Sequence, residues 1–134
     1  MGLDMQQPSV VTVDDTSIDA LYDGIPEDCV VGYVLRVIAA SDAGYAHWEK
    51  RFLARRVGES EVIIDGICDV FPPILNAGAS AWAVEVCVDN GYVCVDVQGS
   101  ADTQVFWLVD LHGDEIPTVS NDRMNLRTSR RLAR

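Results

Sequence analysis

Residues 81–97 read AWAVEVCVDNGYVCVDV, and the reading of this stretch decides the fold. Trp82, Val84, Val86 and Val88 alternate with Ala83, Glu85, Cys87 and Asp89. Val93, Val95 and Val97 then alternate with Cys94, Asp96 and Gln98. Period two over this length marks half-buried strands. Asn90-Gly91 separates the runs, and both residues tolerate the positive φ that a two-residue type I′ turn requires. Such a turn sets the register: Val88 opposite Val93, Cys87 opposite Cys94, Val86 opposite Val95, Glu85 opposite Asp96. One face is then valine, ending at Trp82. The other is polar apart from two sulfurs. The hairpin performs no chemistry; it predicts a compact β domain.

Outward from the hairpin, further strands are legible. Residues 29–40 (CVVGYVLRVIAA) are apolar on both faces and predict a central strand. Residues 61–70 alternate and predict another. Residues 71–80, with Pro72-Pro73 and Gly78, predict a loop. Residues 105–111 (VFWLVDL) predict a buried strand with Val105, Trp107, Val109 and Leu111 on one side. His112-Gly113-Asp114 reads as the turn that ends it. Residues 45–57 (YAHWEKRFLARRV) are ambiguous: their composition favours helix, with Trp48, Phe52 and Arg56 at helical spacing, whereas a strand would align Ala46, Trp48, Lys50 and Phe52. Short strands between glycine-bearing turns predict an all-β fold, an antiparallel β-sandwich or small barrel over residues 29–119 with extended arms at both ends. Residues 1–28 form the N-terminal arm in this reading. Val10, Val11 and Val13 suggest a short edge strand there. Asp15-Thr16-Ser17 suggests the cap of one helical turn through Leu21 and Tyr22, broken by Gly24-Ile25-Pro26. Residues 120–134 form a basic C-terminal tail with little to bury.

The chain has 134 residues, the length of one domain, and 49% of them are apolar, enough for a core. It carries 21 acidic and 10 basic residues, a net charge of −11. Residues 1–121 hold five bases against 20 acids, and residues 122–134 five bases against one acid. The acidic body argues against nucleic acid as a partner. The start lacks a basic, apolar leader, and no apolar run reaches membrane-span length, so no membrane partner is expected. Cys29, Cys68, Cys87 and Cys94 form no C-x-x-C pair and lie in strand-like stretches, as reduced cysteines of a protein made in the cytoplasm do.

Chemistry-bearing constellations are sparse. Asp110-Leu111-His112-Gly113-Asp114 resembles the first metal motif of calcineurin-like phosphoesterases. The further ligands of that family have no counterpart, because no histidine follows and His47 is the only other one. The acid pairs Asp14-Asp15, Glu27-Asp28 and Asp114-Glu115 read as solvated. No nucleophile elbow, phosphate loop or dinucleotide fingerprint occurs. Trp48, Trp82 and Trp107 could stack sugars, but their alternating positions fit core. The expectation is therefore no catalytic residue, no cofactor and no metal.

A wider pattern does carry a resemblance. Trp82-Ala83-Val84-Glu85-Val86, the Asn-Gly turn, Val93-Cys94-Val95-Asp96-Val97-Gln98-Gly99, Phe106-Trp107 and Glu115-Ile116 follow one another in that order. Upstream stand the runs 34–37, 48–56 and 62–70 and the turn Arg55-Arg56-Val57-Gly58. Over residues 30–116 the chain resembles a β-rich structural module of virion proteins of tailed bacteriophages. Phe106 stands where that module usually has arginine. The resemblance turns residues 45–57 into a strand, with a bulge near residues 50–53. It implies a non-enzymatic structural protein of the virion, made in the host cytoplasm. The lack of a long shaft favours a capsid decoration or cement protein over a short tail-fibre or tail-adaptor subunit. Implied partners are the major capsid protein or other virion proteins and sister copies in a homotrimer. Arg123, Arg127, Arg130, Arg131 and Arg134, opposite in charge to the body, are the expected partner-binding residues.

Overall fold

The computed structural model describes residues 9–118 and the backbone of residues 128–133. The strands are β1 (Val10–Thr12), β2 (Ile18–Gly24), β3 (Cys29–Ala40), β4 (Tyr45–Val57), β5 (Glu61–Asp69), β6 (Ile74–Leu75), β7 (Ala83–Asp89), β8 (Tyr92–Gln98), β9 (Val105–Pro117) and β10 (Thr128–Ala133). Among the described residues the only helical element is a 3₁₀ turn at Ala77–Ala79. The larger sheet runs β1-β9-β3-β4-β5, with β10 also on β9 and β6 also on β4. The smaller sheet runs β2-β8-β7. All pairings are antiparallel. The sheets lie face to face and do not close into a barrel, so the fold is a β-sandwich.

The hairpin is as its residues dictate. Asn90 has φ 44° and Gly91 φ 90°, and the pairs Val88–Val93, Cys87–Cys94, Val86–Val95 and Glu85–Asp96 all form. Val93, Val95 and Val97 lie fully buried beneath the larger sheet. Opposite them stand Val31, Tyr33, Leu35 and Val37 of β3 and Val105, Trp107, Val109 and Leu111 of β9. Trp107 occupies the centre. Trp48 stacks on it at 5.7 Å and Trp82 tilts against it at 6.0 Å. Each buried indole nitrogen needs an acceptor. Trp107 Nε1 donates to Thr12 Oγ1 at 2.9 Å, and Trp82 Nε1 to Ser100 Oγ at 2.7 Å. The three tryptophans are core and are not a sugar platform.

Five expectations are corrected. Residues 18–22, predicted as a helical turn, form β2. Thr16 N donates to Asp14 Oδ1 at 2.9 Å in an Asx turn, so the local signal is spent on the loop before the strand. The exposed edge of β8 then recruits the chain, because its backbone groups need partners. A bulge in the β2–β8 pairing turns both Ala20 and Leu21 inward. Residues 9–28, expected as an arm, thus supply one strand to each sheet.

His112-Gly113-Asp114, expected as a turn, continues β9 to Pro117. Gly113 is there for close approach: a Cβ on it would lie 2.9 Å from Tyr33 Cε1 and 3.0 Å from Val31 Cγ1. Within the tail, residues 128–133 form β10 against β9. Finally, β4 is a strand, but the bulge beside it belongs to β5. Leu53 pairs Gly66 and Ala54 pairs Ile64, which leaves Asp65 as the extra residue.

Candidate functional site

The core takes alternate residues of β3, β4 and β9, so the intervening ones form the outer face of the larger sheet. The register arranges them in rows across the strands. The first row is Val11, Phe106, Ala40 and Tyr45. The second is Leu108, Ile38, His47 and Ile74. The third is Asp110, Arg36 and Glu49, with the cation between two acids. His112, Val34, Arg51 and Cys68 follow. Asp114, Gly32, Leu53 and Gly66 come next.

One end of this face is apolar. Val11, Phe106, Tyr45, Ile38 and Ile74 are between 38% and 63% exposed, beyond what scattered surface residues require. Further along, Gly32 and Gly66 offer no side chains, and a depression of about 650 Å³ forms between Leu53, Ile67 and Val34. Around the depression, charge is locally balanced. Arg55 Nε meets Asp65 Oδ2 at 2.8 Å, and on the other side of the sheet Lys50 Nζ meets Asp69 Oδ1 at 2.7 Å. These exposed pairs tie β5 to β4 and are worth about 0–1 kcal/mol each.

The smaller sheet is electrostatically different. Strands β2, β7 and β8 carry Asp19, Asp23, Glu85, Asp89 and Asp96 and no lysine or arginine. Tyr33 OH donates to Asp23 Oδ2 inside the sandwich. On the outer side, Tyr22 OH donates to Asp19 Oδ2. Burial, with a hydrogen bond to Asp19, raises the Asp96 carboxyl to about 6. The bond to Asp96, then that from Tyr22, holds Asp19 below the usual carboxylate range. Burial pushes the thiols of Cys87 and Cys94 up, the opposite of what a nucleophilic cysteine needs.

The residues singled out from sequence are dispersed. Asp110, His112 and Asp114 share a column on β9, with His112 Nε2 3.3 Å from Asp114 Oδ2. They are not among the ligand-type side chains that gather around one point. His47 sits edge-on to Phe71 at 5.2 Å. Arg123, Arg127 and Arg134 lie outside the described residues. Arg130 and Arg131 fall on β10, opposite Gly113 and His112.

Two features escaped the sequence reading. The apolar rows require the order of strands in the sheet, which periodicity does not supply. The Asp19–Asp96 contact requires β2. Half of it was visible, because the hairpin register already put Glu85 and Cys87 beside Asp96 and Cys94.

Comparison with family models, with curated proteins and with solved structures gives no match at all.

Proposed function

We propose that this protein is a structural protein of a tailed-bacteriophage particle, a capsid decoration or cement protein that binds the capsid surface through the outer face of its larger sheet. The resemblance of residues 30–116 to the virion module motivates the reading. The observation that carries it is the apolar end of that face, where Val11, Phe106, Ile38, Tyr45 and Ile74 lie exposed on five adjacent strands. A rigid sheet presents such side chains at little entropic cost, and interface cores favour aromatic anchors with a polar surround. The charged row Asp110, Arg36 and Glu49 supplies that surround on one side. Partners under this reading are the major capsid protein and sister copies in a homotrimer. The basic segment at residues 123–134 contributes charge against an acidic neighbour.

The test is co-sedimentation of the purified chain with capsids that lack it. Saturable binding at a fixed copy number is expected, together with its loss in Phe106→Lys and Tyr45→Lys proteins that still fold. Binding to tails or fibres instead would favour the short tail-fibre or tail-adaptor assignment. Binding to neither particle would sink both.

A further inference from the structure

The outer face of the smaller sheet brings Asp19 of β2, Cys87 of β7 and Asp96 of β8 together. One ligand atom from each lies within 4.8 Å of the other two. The three residues come from three adjacent strands, so the backbone ladder fixes their spacing. Asp96 Oδ1 is sealed from solvent and finds no donor outside the group; Asp96 hydrogen-bonds only with its other members, Asp19 and Cys87. A carboxylate oxygen withdrawn from water with so few partners is costly. No lysine or arginine on these strands offsets the acids. The neighbours also orient the donors. Tyr22 OH holds Asp19 Oδ2, and Cys87 Sγ contacts the carbonyl of Cys94 at 3.6 Å.

From this juxtaposition we propose that Asp19, Cys87 and Asp96 form a binding site for a borderline-soft divalent cation of the zinc class. Zinc takes carboxylate oxygen at about 2.0–2.2 Å and thiolate sulfur at about 2.3 Å, so its donors stand roughly 3.5 Å apart. Binding would draw the present donors, within 4.8 Å of one another, closer together. The thiol selects against calcium and magnesium, which require six or more oxygens or several waters. Three protein donors leave a fourth tetrahedral position to water. Binding displaces the Cys87 proton to solvent and places the cation against Asp96 Oδ1. The site would lock β2, β7 and β8 together and bring positive charge to a sheet that carries five acids and no lysine or arginine. It is independent of the capsid-binding face, which belongs to the other sheet.

The experiment uses the full chain, stripped with chelator and titrated separately with Zn²⁺ and Co²⁺. One Zn²⁺ per chain is expected by calorimetry, and the Co²⁺ complex shows thiolate-to-cobalt charge-transfer absorption. Cys87→Ser removes that absorption. Asp96→Asn and Asp19→Asn each lower Zn²⁺ affinity tenfold or more. Cys68→Ser, an exposed cysteine on the other sheet, changes neither readout. Asp19 is exposed, so its variant keeps the test valid where a Cys87 or Asp96 variant unfolds. Absence of one-to-one binding overturns the proposal. That absence is the behaviour of two carboxyls bridged by a proton only, and binding that survives both Cys87→Ser and Asp19→Asn overturns the proposal too, because it places the cation elsewhere.

Discussion

Trp107 and Thr12 are joined by a buried hydrogen bond, 2.9 Å from indole nitrogen to hydroxyl, across 95 residues of chain. The bond fastens β1 to the centre of the core and satisfies a donor that water cannot reach. Thr12→Val keeps the shape and β propensity but removes the acceptor. A buried unmet donor costs about 1–3 kcal/mol. The expected result is a fall in urea midpoint of that size with an unchanged slope, and near-wild-type stability for Thr12→Ser. Equal stability of Thr12→Val and wild type would show the bond to be dispensable.

The Asn90-Gly91 turn gives a second prediction. Both residues have positive φ, and β-branched side chains resist that region. Replacing the pair with Val-Val should cost about 2 kcal/mol or more, since strain falls on two adjacent residues. The check is the melting temperature of the double variant, and no change would place the reversal elsewhere.

Gly113 and Gly66 make a contrasting pair. Gly113→Ala pushes a methyl into Tyr33 and Val31, and overpacking of this kind costs about 1–3 kcal/mol. Gly66→Ala meets nothing within 4 Å and should be neutral or slightly stabilising. Chemical denaturation of both proteins measures the difference. If Gly113→Ala were as stable as Gly66→Ala, close approach would not explain the glycine.

Native thiol reactivity should separate the cysteines. Cys68 is exposed, Cys29 and Cys94 are buried, and burial raises the Cys87 thiol. An alkylating reagent at neutral pH should label Cys68 first and the other three only on unfolding. Mass spectrometry of partly labelled protein reads the order. Early labelling of Cys94 would contradict its place in the smaller sheet.

The basic segment can be tested without cutting β10 away. Arg123→Gln, Arg127→Gln and Arg134→Gln together remove charge outside that strand. Under the proposed function, folding is unchanged, capsid incorporation falls severalfold, and added salt weakens the wild-type contact in the same direction. Normal incorporation of the triple variant would remove these arginines from the interface.

How much of this was legible depended on where the deciding contact lay. The β7–β8 hairpin was readable because its turn and register are local, fixed by Asn90-Gly91 and alternating valines. The run from Val105 to Leu111 was readable by its period. Its continuation was not, because Gly113 carries a turn signal locally, and only the ring of Tyr33 explains it as a packing glycine. Ile18–Gly24 failed for the same class of reason: Asp15-Thr16-Ser17 looks like a cap, and nothing nearby announces the vacant edge of β8. The Asp19, Cys87 and Asp96 group inherits that failure, since two of its members were aligned and the third was assigned to the wrong structure.

The strand β9 carries a kinetic consequence. One of its edges is shared by β1, at Val105 to Trp107, and by β10, at Asp110 to Glu115. The earliest and the latest described strands therefore wait on the same template. During synthesis β1 has no partner until nearly a hundred residues have followed it, as the 95-residue span of the Thr12–Trp107 bond records. Loop closure of that length precedes any reward from the contact. Refolding should accordingly be slow, on the order of milliseconds to seconds as in other sandwiches. Until β9 arrives, Val10 and Val11 remain a sticky leading segment for the nascent chain to protect.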